Sequence, residues 1–137
     1  MHPALPLGVP LMDADHATVE ILFEEIAAAR DDDLPRLYLA LEAEVIAHFG
    51  REEELMAEHD VPVAHCHKTQ HVLLLSEFAA VRPLAEAADV AGLRRAIPVL
   101  AELVAGHVAS VDRVTSQFLG GTLDHRAVEA LRLPIGA

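Results

Sequence analysis

Residues 35–58 read PRLYLALEAEVIAHFGREEELMAE. Leu37, Leu41, Val45 and Leu55 recur at spacings that line one face of an α-helix. His48 and Glu52 stand on the same stripe, at places where that pattern calls for apolar residues. Pro35 suits the first helical position, because the missing N–H is one that no helix satisfies there. The stretch therefore reads as a helix of many turns whose inward face carries an imidazole and a carboxylate.

The same interrupted pattern recurs on both sides. Upstream, Asp13 or Asp15 reads as the cap of a helix running to about Arg30, with His16, Val19, Phe23 and Ile26 facing inward. Asp31-Asp32-Asp33 forms the turn between the two. Downstream, Asp60-Val61-Pro62 punctuates the chain before a third helix to about Ala88, with Val63, His67, His71, Leu74 and Phe78 on its stripe. Pro83 is expected to kink or shorten that helix. A fourth helix spans about 90–119, with Leu100, Leu103, His107, Val111, Val114 and Phe118 inward, Pro98 as a kink or restart, and Gly120-Gly121 as its end. Residues 1–11, with Pro3, Pro6 and Pro10, read as an extended arm, and residues 120–137 as a tail with one short helix near 124–132. The expectation is an all-α, up-down-up-down antiparallel four-helix bundle over 12–119, within a single domain of 1–137.

Composition agrees. Hydrophobic residues make up 53% of the chain and aromatics 4%, with no Trp, so the core is aliphatic and favours helices over a β-sandwich. The net charge of −12 repels phosphate backbones and anionic lipid, which argues against nucleic-acid and membrane-surface partners. No apolar run approaches the length needed to span a bilayer. One cysteine, Cys66, excludes an internal disulfide and fits a reducing compartment, so the expected location is the cytoplasm. A monomer or a small homo-oligomer is expected.

The nine histidines are unusual for a chain this short. One inward histidine reads most simply as a hydrogen-bonded core residue, since an unpartnered buried polar group costs several kcal/mol. Four helices doing this at similar heights is another matter. His48 and Glu52 are spaced i, i+4, as are His67 and His71, so each pair projects from one face. His107 and Asp112 are five apart, about 140° around an ordinary helix, so Asp112 is expected to lean to the side of its stripe. Five histidines and two carboxylates exceed what one ion takes. Two ions bridged by the carboxylates accommodate them, three histidines on one and two on the other. One coordination position is then open for a small ligand.

The ordered set resembles the hemerythrin family, in particular its single-domain bacterial members, over about residues 5–119. The matching stretches are Gly8-Val9-Pro10 leading to Met12-Asp13-Ala14-Asp15-His16, then His48-Phe49-Gly50-Arg51-Glu52-Glu53 with Met56, His67-Lys68-Thr69-Gln70-His71, and His107-Val108-Ala109-Ser110-Val111-Asp112. The resemblance implies a non-haem centre of two iron ions. His67, His71 and His107 would hold the saturated iron, His16 and His48 the open one, and Glu52 and Asp112 would bridge with an oxo or hydroxo group. It also implies reversible dioxygen binding for carriage, storage or sensing, with nitric oxide, peroxide or small anions as other ligands. The alternatives are a di-iron enzyme of the same family (peroxidase, oxidase or nitric-oxide handling) and iron buffering. Neutral imidazoles with carboxylates suit Fe(II), and the lack of cysteine ligands argues against structural zinc.

Leu103 and Val104, with Phe23 and Phe49 behind them, are candidates for an apolar wall beside the open iron, although ordinary core packing is the simpler reading of all four. The other polar residues receive blander readings. Cys66 is expected to pack, and Glu53 and Glu54 to form a solvated face. His59 and His65 are expected in solvent, as are His2 and His125. Gly50 invites either close helix approach or simple tolerance.

Overall fold

A computed structural model of the chain describes residues 6–120, and among these there are helices and turns but no strand. Helix α1 spans Pro10–Ala28, α2 Leu34–Glu58, α3 Ala64–Glu86 and α4 Val90–His107. The fourth helix then widens into one π turn, Val108–Asp112, and closes as α5, Arg113–Leu119. The backbone stays right-handed helical through both junctions, so α4, the π turn and α5 form one rod. Together with α1, α2 and α3 it makes an all-α four-helix bundle.

Short turns set this antiparallel order. A single 3₁₀ turn of three aspartates joins α1 to α2. Both α2 and α3 end in the same hydrogen-bonded motif, with one residue in the left-handed region. After α2 that residue is Asp60 (φ 50°), and the Val61 N–H donates back to the Met56 carbonyl at 3.0 Å. After α3 it is Ala88 (φ 53°), with the Asp89 N–H donating to the Leu84 carbonyl at 2.8 Å. The Asp89 carboxylate then caps α4 by accepting the Gly92 N–H at 3.0 Å.

The core follows the aliphatic stripes. Val19, Phe23 and Ile26 from α1 meet Leu34, Tyr38, Leu41, Val45 and Phe49 from α2, Leu74 and Phe78 from α3, and Leu93, Ile97, Leu100 and Val104 from α4. The Tyr38 hydroxyl donates to the Phe78 carbonyl at 2.6 Å, which satisfies it inside the core. Arg82 forks onto the buried Glu42 with two bonds of 2.7 Å and ties α3 to α2.

Several expectations need correction. Helix α1 begins at Pro10, inside the supposed arm, and neither aspartate caps it. Asp13 instead accepts the N–H groups of Leu7 and Gly8 at 2.8 and 3.1 Å, while Asp15 is buried. Helices α3 and α4 run through Pro83 and Pro98 without ending. Cys66 is exposed, so it does not pack in the core. A Cβ at Gly50 would meet nothing within 4 Å, so this glycine serves no close approach. The inward face of the fourth helix also differs. Leu103 and Val114 are exposed, whereas Val104, Val108, Thr115 and Ser116 are buried. The expected tail helix, His2 and His125 lie outside the described residues.

Candidate metal centre

The fourth helix shows most clearly how the backbone builds this site. On a regular helix Asp112 would point well away from His107. The π turn hydrogen-bonds i→i+5 and brings residues five apart over one another. Asp112 is consequently turned fully inward, with 0% of it exposed, rather than leaning to the side. Its Oδ1 lies 3.1 Å from His107 Nε2 and 2.9 Å from His67 Nε2, and its Oδ2 lies 2.9 Å from His16 Nε2. The extra residue also shifts the phase of everything after it, which is why Thr115 and Ser116 face inward and Val114 does not.

Glu52 occupies the matching place on α2. One of its oxygens lies 3.1 Å from His71 Nε2 and 3.3 Å from His67 Nε2. The other lies 3.1 Å from His48 Nε2 and 3.5 Å from His16 Nε2. The seven residues singled out from the sequence thus form two overlapping groups. Glu52, His67, His71, His107 and Asp112 make one, and His16, His48, Glu52 and Asp112 the other, with ligand atoms in each lying within 4.8 Å of one another. Both carboxylates belong to both groups.

Electrostatics in the metal-free chain are those of carboxylates enclosed by imidazoles. Burial works against the charged imidazoles of His16 and His67, but Asp112 and Glu52 overrule it and raise both to about 9. The pKa of His48 is raised on the same balance, chiefly through Glu52. Burial likewise opposes ionisation of Glu52 and Asp112, yet the surrounding histidines hold both well below the ordinary carboxylate range. Protons on the histidines therefore balance the two acids when no cation is present.

The donor set fits a metal. His67 Nε2, His107 Nε2, Glu52 Oε2 and Asp112 Oδ1 are buried without a hydrogen-bond partner, although each sits among the others. Orphaned inward atoms of this kind are what a coordinated cation would satisfy.

Outer partners orient the rings. His67 Nδ1 lies 2.6 Å from Thr115 Oγ1. His71 Nδ1–H donates to Glu53 Oε2 at 3.0 Å, so Glu53 is not the solvated residue expected, though Glu54 is exposed. His48 Nδ1 lies 3.2 Å from Asp15 Oδ2, which in turn takes the Arg51 fork. Burial opposes the Asp15 carboxylate, but Arg51 and His48 hold its pKa below the usual value. Sequence reading missed Thr115, Glu53 and Asp15. The available signal for Asp15 was its place beside His16 on an inward helix.

The four proposed wall residues separate. The Phe49 ring stacks on His71 at 3.9 Å and 5°, and also neighbours His48 and His107. Val104 is buried nearby in the core. Leu103 is 39% exposed and edges a surface cleft of about 380 Å³ that reaches His107, so it walls no interior pocket. Phe23 lies in the core farther along α1, lining a separate cavity of about 350 Å³ with Ile97 and Ala101. His59 and His65 are exposed, as expected.

The sequence profile described as the hemerythrin HHE cation binding domain matches residues 7–119. The chain belongs to the hemerythrin family. A curated relative, "Bacteriohemerythrin" of Ralstonia nicotianae (strain ATCC BAA-1114 / GMI1000), is 34% identical over 116 residues, covering 85% of each chain. No solved structure matches the chain significantly. The matched span of this hemerythrin domain contains both ligand groups, and its description as cation binding accords with their orphaned donors. No described helix is long and apolar enough to cross a membrane.

Proposed function

We propose that this chain binds dioxygen reversibly at a pair of iron ions bridged by an oxo or hydroxo group. His67, His71 and His107 would hold one ion, His16 and His48 the other, and Glu52 and Asp112 would bridge both. The observation that supports this most directly is the inequality of two groups that share both carboxylates. The three-histidine group offers five donor residues and the two-histidine group four, so one ion has a position to spare for a small ligand. Iron, when bound, supplies the electrons that hold dioxygen.

The chain's own residues do the rest. Glu52 and Asp112 fix the two positions relative to each other, because each carboxylate faces histidines of both groups. Phe49 covers the imidazoles of His71, His48 and His107 and keeps water from them. The relative's name, Bacteriohemerythrin, points in the same direction.

Anaerobic titration with Fe(II), then addition of dioxygen and its removal under argon, tests the reading. Two irons per chain and a visible charge-transfer band that bleaches on deoxygenation are expected. Irreversible passage to the ferric form would favour an enzyme acting on peroxide or nitric oxide. Loss of iron without any ligand band would favour iron buffering.

A further inference from the structure

The two metal positions are built differently. His67 and His71 stand i, i+4 on α3, so the helix itself sets their separation. His16 comes from α1, whereas His48 comes from α2, so the two-histidine position exists only while those helices keep their register. Neither His16 nor His48 has a hydrogen-bond partner for its buried Nδ1, so both rings of this position lack an anchor of that kind.

Beside this weak point lies an ion pair that the metal chemistry above does not use. Arg51 Nε and Nη2 donate to Asp15 Oδ2 and Oδ1, both at 2.8 Å, a fork that fixes distance and angle together. Asp15 directly precedes His16, and Arg51 directly precedes Glu52. The pair therefore fastens α1 to α2 beside two ligand residues at once. The same Asp15 Oδ2 lies 3.2 Å from His48 Nδ1, close enough to attract the second ring although the two are not aligned as a hydrogen bond. Glu44 Oε1 accepts from Arg51 Nη2 at 2.8 Å and holds the guanidinium in place.

We propose that Asp15 and Arg51 are positioning residues for the two-histidine position, and that their pairing sets how firmly that position alone keeps its ion. The inference rests on the two-ion reading above. The three-histidine position takes its outer support elsewhere, from Thr115 and Glu53.

The test loads the full chain anaerobically with Fe(II) and follows iron release to a ferrous chelator, with metal analysis of what remains. Asp15→Ala and Arg51→Met are expected to speed release of one iron about ten- to a hundredfold and leave the other at its original rate. Arg51 is half-exposed, so its variant keeps the fold even where the Asp15 variant is strained. Arg82→Met is the matched control: it breaks a similar fork between α2 and α3, ten residues along α2 from Glu52, and should leave both release rates unchanged. Equal acceleration of both irons in the Asp15 and Arg51 variants, or no acceleration, overturns the proposal. Uptake of fewer than two irons by the unaltered chain overturns the two-ion reading, and this proposal with it.

Discussion

Thr115 Oγ1 sits 2.6 Å from His67 Nδ1, and that short contact determines which ring nitrogen faces the two carboxylates. Thr115→Val keeps the shape and deletes the hydroxyl. A metal titration should show about 10- to 100-fold weaker binding, with the fold intact by circular dichroism. Titration of the ligands gives a second outcome. His16 and His67, raised to about 9 from 6.5, stabilise the metal-free chain fully below 6.5 and lose that contribution as pH rises through about 9. Glu52 and Asp112 are depressed, so their contribution is present above their ordinary 4.5 and 3.8 and disappears only in strong acid. Metal needs the histidines neutral. The gap in Tm between loaded and metal-free protein should therefore widen from about pH 6 to about pH 9, with protons released on loading. Six of the seven ligand candidates are legible because each interrupts an apolar stripe, and Asp112 through its fixed spacing from His107. Thr115 is not, because its inward orientation depends on a change of helical phase that the sequence does not announce.

Among the helices, turn geometry leaves one clear liability. Ala88 occupies the left-handed region (φ 53°) at the end of α3, where a Cβ is strained. Ala88→Gly should stabilise the chain by about 0.5–1 kcal/mol, once the entropy glycine loses on folding is subtracted, and thermal melts will read the gain. The helices themselves were legible from spacing, and His16, Val19, Phe23 and Ile26 all prove buried as the pattern of α1 implies. The fourth helix was misread beyond His107 because a fixed 3.6-residue period was carried through the π turn. That period puts Val114 in the core and Asp112 to its side, whereas the exposure of Leu103, which precedes the turn, does not follow from it. Pro83 does not shorten α3 and Pro98 does not restart α4, since both helices carry their proline in the interior.

Considered whole, the bundle divides into two hairpins, α1–α2 and α3–α4–α5, joined by the turn at residues 59–63. The first hairpin carries His16, His48 and Glu52, and the second carries His67, His71, His107 and Asp112. Across the divide Glu52 reaches His67 and His71, and Asp112 reaches His16. Neither hairpin alone owns a complete coordination set, so ions bound at this centre act as rivets between halves. Cleavage of the chain at the exposed His59–Asp60 turn should give two fragments whose association depends on metal. Sedimentation of the mixed fragments should show a complex with Fe(II) under anaerobic conditions and its dissociation when a chelator is added. In that sense the centre is also a lock on the chain's own quaternary-like assembly, closed by the cation and opened by its loss.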